Sequence, residues 1–128
     1  MKKKILGIAV ILFVFFVAGI TAETIQQQAD TLLKRYEALA TAFEKLAKET
    51  GNLAAQDRPT KQALTQCEKN RQNLLKQESQ SQADWRAFFS TDRDVTSAQM
   101  DRMGKIGDRI HRADDRIGAN IRTINSKL

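Results

Sequence analysis

Asp101-Arg102-Met103, Asp108-Arg109-Ile110, Asp115-Arg116-Ile117 and, in weakened form, Arg122-Thr123-Ile124 repeat one phrase every seven residues along the last third of the chain. A strict seven-residue return marks a helix that buries one narrow seam against another helix. The seam it predicts is Met103, Ile106, Ile110, Ala113, Ile117, Ile121, Ile124 and Leu128. Thr96-Ser97-Ala98-Gln99 opens this helix as a capping box, with Val95 and Met100 spaced for a hydrophobic staple across it. Asn120 stands where the repeat wants an apolar residue, and a polar group there fixes register at some cost in stability. Gly104, Gly107 and Gly118 each cost about 1 kcal/mol inside a helix relative to Ala, so close approach of a neighbour is expected at them.

Working back from this helix, two more segments carry helical periodicity. Residues 24–50 place Ile25, Ala29, Leu32, Tyr36, Leu39, Phe43 and Leu46 at alternating steps of four and three, with Leu53 one step past Thr50. Gly51-Asn52 then reads as a left-handed cap. Residues 58–89 form the second segment, with Asp57 as its cap and Pro59 in its first turn. Its seam is Leu64, Cys67, Arg71, Leu74, Glu78, Ser81, Trp85 and Phe88, with Leu75 and Phe89 alongside. The centre of that seam is polar, which leaves this helix partly exposed or held by polar contacts. Its far end carries the large apolar area of Trp85, Phe88 and Phe89, placed to pack near Ile25 and Leu32.

Both connectors, residues 51–58 and 90–94, are short, so consecutive helices should be antiparallel neighbours. Helices of this size span roughly 45 Å at 1.5 Å per residue. The expected fold is therefore all-α: an elongated up-down-up three-helix bundle with helices at about 24–50, 58–89 and 96–127. The rival is an extended coiled coil that completes its core with another chain, and the polar centre of the second helix gives that rival its weight.

Residues 1–22 stand apart. Lys2, Lys3 and Lys4 precede an uncharged run, residues 5–20, of Ile, Leu, Val and Phe broken only by Gly and Ala. Such a basic flank and apolar core read as a signal peptide or membrane anchor, with the following chain exported. Thr21-Ala22 offers a small residue for cleavage after Ala22, which would leave the protein periplasmic or secreted. Retention would anchor it to the inner membrane facing the periplasm, since sixteen apolar residues fall just short of a comfortable span. The three lysines also supply half of the formal charge of +6; beyond them 18 basic residues face 15 acidic ones. That balance is too mild for nucleic-acid binding, which needs clustered phosphate-neutralising charge.

Residues 23–128 thus form one extracytoplasmic helical domain, whose candidate functional residues lie on the seams. Arg102, Arg109 and Arg116 flank the third seam, and charges beside a seam choose partners. Glu23, Asp30, Glu37 and Glu44 share their seven-residue period on the first helix, so the stripe can equally be satisfied within the chain. Met103, Ile110 and Ile117 on the seam, and the Trp85-Phe88-Phe89 group, are the apolar candidates for a partner or a second copy. Cys67 is the only cysteine; its seam position favours burial, with an intermolecular disulfide as the alternative. His111 is the only histidine, and without a second ligand set it reads as solvated rather than haem- or metal-binding. No phosphate loop, His-Glu-x-x-His or Gly-x-Ser-x-Gly motif occurs, so no catalytic residue and no cofactor are expected. These readings point to a non-enzymatic exported adaptor or structural component assembling through helical seams in an envelope complex. The alternative is a small chaperone-like protein whose weakly sealed second helix opens to accept a hydrophobic client.

Overall fold

The computed structural model describes residues 25–91 and 96–128, apart from the side chains of 90 and 91. The described residues form three long helices, α1 (Ile25–Ala54), α2 (Lys61–Thr91) and α3 (Ser97–Ser126). All-α architecture and up-down-up order follow the sequence expectation. The capping box at Thr96 also forms: its hydroxyl accepts from the Gln99 backbone N–H at 3.1 Å, and the Gln99 side chain accepts from the Thr96 N–H at 3.0 Å. Val95, the other half of the expected staple, lies outside the described residues, and Met100 is exposed.

Two helix ends differ from expectation. α1 does not stop at Gly51-Asn52 but runs on to Ala54, and no glycine takes a positive φ among the described residues. The missing cap is replaced from outside: Lys127 Nζ donates to the carbonyl oxygens of Ala54 and Gln56. A cation at the helix C-terminus satisfies groups that a left-handed glycine otherwise would. At the start of α2 the cap is Thr60, whose Oγ1 accepts from Ala63 N–H at 3.1 Å. Asp57 is exposed upstream and Pro59 is buried just before the cap, outside the first turn.

The core belongs mostly to α1 and α3. Leu33, Phe43, Ile110, Ile117 and Ile124 are fully buried, with Tyr36, Leu39, Leu46 and Ile106 nearly so. Leu33 takes the inward position expected of Leu32, which is half-buried beside it. Leu128, the last expected seam residue, is exposed. The two helices lie parallel, and their polar contacts keep a fixed offset. Gln99 Nε2 donates to the Gln26 carbonyl at 3.2 Å, Asn120 Nδ2 to the Ala47 carbonyl at 3.1 Å, and Lys127 to that of Ala54; each pair is 73 residues apart. Ile106 and Ala113 occupy the intervening steps of the same seven-residue series. Thr50, fully buried, donates to its own helix at Leu46 and Ala47 and accepts from Asn120 Nδ2 at 3.1 Å.

α2 runs back along this pair and is fastened chiefly at its ends. Leu64 and Cys67 are buried near its start and Trp85 near its finish. Leu64 joins a second small cluster with Ala54 and Ile124 at the far end of the bundle. Between Cys67 and Trp85 no side chain is fully buried. The predicted seam of α2 does face inward, since Arg71, Leu74, Glu78 and Ser81 are all half-buried.

Among the three glycines expected to mark close approach, Gly104 has nothing within 4 Å of where a Cβ would sit. Gly104→Ala should therefore stabilise the fold by about 0.5–1 kcal/mol, because the helix gains propensity without a clash. Phe43→Ala, by contrast, should cost about 3–5 kcal/mol. Urea denaturation of both variants beside the parent measures the two shifts.

Candidate docking site between the first and third helices

The arginine stripe of α3 meets the glutamate series of α1 in a regular ladder. Arg102 Nη2 donates to Glu37 Oε2 at 3.0 Å, and one turn of the repeat later Arg109 donates from Nε and Nη2 to both oxygens of Glu44, at 3.2 and 2.7 Å. Both pairs are 65 residues apart. The hydrogen bonds from Arg109 hold the Glu44 carboxyl below the usual carboxylate range and push the guanidinium higher still. At the same offset the third arginine, Arg116, falls opposite Gly51, which has no side chain to offer. Asp30 is engaged elsewhere, accepting from Gln99 Nε2 at 3.1 Å. Glu23 lies outside the described residues.

Where the ladder lapses, the surface between α1 and α3 forms an open groove lined by Glu44, Ala47, Arg109, Arg112, Ala113 and Arg116. Its floor is the small, buried Ala47 and Ala113. The exposed guanidinium of Arg112 donates to its own helix at the Asp108 carbonyl oxygen, 3.4 Å away, and its charge helps lower the Glu44 pKa across the groove. Lys48 is exposed one turn beyond Glu44 on α1, and residues four apart are neighbours on a helix surface. Among the described residues neither Lys48 nor Arg116 has an ion-pair partner within 4 Å. The groove therefore sets Arg112 and Arg116 beside the Arg109–Glu44 pair around a small apolar floor. Arg116 was legible in the seven-residue phrase. Arg112 was not, since it lies off its helix's periodic series and enters the groove only through the packing of the two helices.

The apolar candidates divide. Ile110 and Ile117 are fully buried and Met103 half-buried between α1 and α3, so the seam is consumed within the chain. Trp85 is buried in the main core, and Phe88 lies against it with ring centroids 6.2 Å apart. Phe89 turns outward and is 42% exposed. Cys67 is a free, buried thiol. Burial, with the charges of Glu49 and Glu68 nearby, pushes its pKa up, which disfavours the thiolate that disulfide exchange or nucleophilic attack requires. His111 is exposed, and no group of three or more metal-ligating side chains occurs among the described residues.

A second polar array joins α2 to its neighbours. Arg71 donates from Nε and Nη2 to the two oxygens of Asp114, at 2.8 and 3.2 Å, and its guanidinium lies over Gly118. A bidentate, half-buried pair of this kind is stronger than an exposed one. Glu78 sits nearby, its pKa raised first by burial and then by Asp114, with His111 opposing. Tyr36 Oη accepts from Gln82 Nε2 at 3.5 Å and lies 3.5 Å from where a Cβ on Gly107 would sit, so one hydroxyl marks the junction of all three helices. Burial raises its pKa.

No family model, no curated protein and no solved structure matches this chain.

Because Arg109 and Glu44 are both substantially exposed, Arg109→Ala should cost less than about 1 kcal/mol at neutral pH. That cost should vanish in acid: the lowered Glu44 pKa contributes stability above the usual Glu value and loses it as pH falls through the folded one. Arg116→Ala, with no partner to lose, should stay within about 0.5 kcal/mol of the parent. Glu78 behaves in the opposite sense. Its raised pKa penalises the ionised fold, so stability falls as pH rises from the usual Glu value through the raised one. Glu78→Gln should accordingly raise the thermal midpoint at pH 7 and leave it unchanged once the parent carboxyl is protonated. Thermal scans across pH 3–8 compare all three variants.

Proposed function

We propose that this chain is an exported helical adaptor that takes the acidic edge of another protein into the groove between α1 and α3. The observation that carries the reading is the lapse of the ion-pair ladder at Gly51, which leaves Arg116 without an ion-pair partner beside Arg112, in a groove whose Glu44 is held by Arg109. Charges flanking a helical seam select partners, and an arginine pair one helical turn apart fits carboxylates spaced by four residues on an incoming helix. Burial of Ile110 and Ile117 within the chain favours a different protein, rather than a second copy, as the assembling partner. The basic, apolar segment 1–22 directs the domain across a membrane; the chain is then periplasmic or secreted if cut after Ala22, and anchored at the inner membrane if not. An adaptor of this kind needs no catalytic group, and the raised thiol pKa of Cys67 speaks against a nucleophile.

One feature supports the chaperone-like alternative. With no fully buried side chain between Cys67 and Trp85, α2 can lift from its centre and uncover Tyr36 and Leu39. A dye that reports exposed apolar surface separates the two readings. The adaptor should bind little, whereas a client-binding protein should bind appreciably and suppress aggregation of a test protein.

The adaptor reading is tested by light scattering and by site-directed photocrosslinking. Residues 23–128 should have the mass of a monomer with and without reductant. A larger species that reductant dissolves would make Cys67 the link and set the reading aside. A photocrosslinker at exposed position 119, one turn beyond Arg116, in producing cells should capture a distinct protein through an acidic segment. The adduct should disappear in an Arg112→Glu variant and persist when the crosslinker-bearing chain carries Lys76→Glu on the opposite face. Adducts indifferent to Arg112→Glu would overturn the docking site.

A further inference from the structure

The described residues hold three exposed large apolar side chains, Phe89, Met100 and Leu128. Leu128 is the last residue of the chain; the other two share the opposite end of the bundle. Contacts between helices fix that placement. Gln99, next to Met100, bonds the Gln26 carbonyl in the first turn of α1, and Arg35 pairs with Asp84 at 3.6 Å. The antiparallel run of α2 from that pair brings Phe89 level with the first two turns of α1. Trp85 and Phe88 stand just behind Phe89. The end of the bundle that opens α1 is therefore also its aromatic, apolar end.

The same end is where the apolar run joins. Four residues separate the run 5–20 from Ile25, where α1 begins, and the five steps from 20 to 25 span at most about 18 Å when fully extended. If residues 5–20 lie in a bilayer, the aromatic end cannot be far from its surface. Aromatic side chains favour that zone, where an apolar ring meets the headgroup layer. The charged groups around this end among the described residues are of both signs: Asp30, Asp84 and Asp101 stand with Lys34, Arg35, Arg86 and Arg102. The contact is therefore apolar in origin rather than an attraction to anionic lipid.

We infer that the Phe89–Met100 end of the bundle rests on a lipid bilayer surface, with residues 5–20 retained as its membrane segment. The inference rests on the reading of residues 1–22 as membrane-directed and takes the uncleaved form of it. The bundle then stands on the membrane by α1, and the arginine groove faces away from the bilayer, about 20 residues, or roughly 30 Å, along α1. A partner reaches the groove from the aqueous side.

Trp85 is the only tryptophan, so its fluorescence reports this end without labelling. The full chain is reconstituted in phosphatidylcholine vesicles, with and without lipids carrying a nitroxide near the headgroup. The chain should float with the vesicles and Trp85 should be quenched by the nitroxide. The Phe89→Glu, Met100→Glu double variant should still float but show quenching lower by about twofold or more, as charge drives the end away from the interface. Both positions are exposed, and Phe89→Ser alone, with a milder change, should move quenching in the same direction if the double variant loses helicity. A chain that floats with Trp85 unquenched overturns the inference while leaving the anchor intact. Equal quenching in parent and variants also overturns it, since the tether alone would then explain the proximity. A chain that does not float overturns the membrane reading itself.

Discussion

The parallel alignment of α1 with α3, held at one unchanging offset, is the constraint from which the rest of this molecule follows. Three backbone-directed contacts share an offset of 73 residues and two ion pairs share an offset of 65. An undistorted α-helix drifts by about 20° per seven residues against a strict heptad. Keeping the offset from Gln99 to Lys127 therefore requires the two helices to follow one another as a coiled pair does. Two parallel helices of one chain cannot be joined by a short turn. The chain must travel back the full length of the bundle before the second can begin. α2 is that return path, and its requirements are length and two secure ends rather than a continuous apolar face.

This division explains the uneven quality of α2. Leu64 and Trp85 hold its ends in apolar surroundings, while its centre relies on half-buried Leu74 and Leu75 against the core, on Arg71 with Asp114 and on the Tyr36–Gln82 contact. Glu78 in that centre is carried at a cost, as its raised pKa records. The register contacts, by comparison, are placed where the cost of a buried polar group is met in full. Thr50 has partners for both donor and acceptor roles, and Asn120 bonds a carbonyl and a hydroxyl together. Asn120 Nδ2 lies 3.5 Å from where a Cβ at Gly51 would be, an ordinary contact, so the register itself does not demand glycine there. That glycine is what deprives Arg116 of an acid opposite it.

Much of this was legible in the residues, and what was not has a common cause. Periodicity located all three helices, the capping box, the inward face of α2 and the pairing of the arginine and glutamate stripes. Those features depend on side chains alone and recur at fixed spacing. The end of α1 lies beyond local reading, because Gly51-Asn52 carries the chemistry of a left-handed cap and nothing local says that Lys127 will satisfy the terminal carbonyls from another helix. Asp57 and Thr60 are both competent caps, and the choice between them lies in the path of the connector past buried Pro59. The outward turn of Phe89 and the place of Arg112 in the groove depend on the angular relation between helices. A single helical pattern holds no information about that relation.

The largest interface in the molecule joins its first helix to its last, across 65 to 73 residues of intervening chain. Closing a loop of that size forfeits entropy before any contact between the two helices is gained. A chain delivered from its N-terminus, whether by synthesis or by passage through a membrane, presents α1 first. Phe43 and Leu39 then face solvent or the thin cover of α2 until residues 99–127 have emerged. The last quarter of the chain therefore acts as the closing element, and every earlier stage is an unfinished hairpin with its seam uncovered.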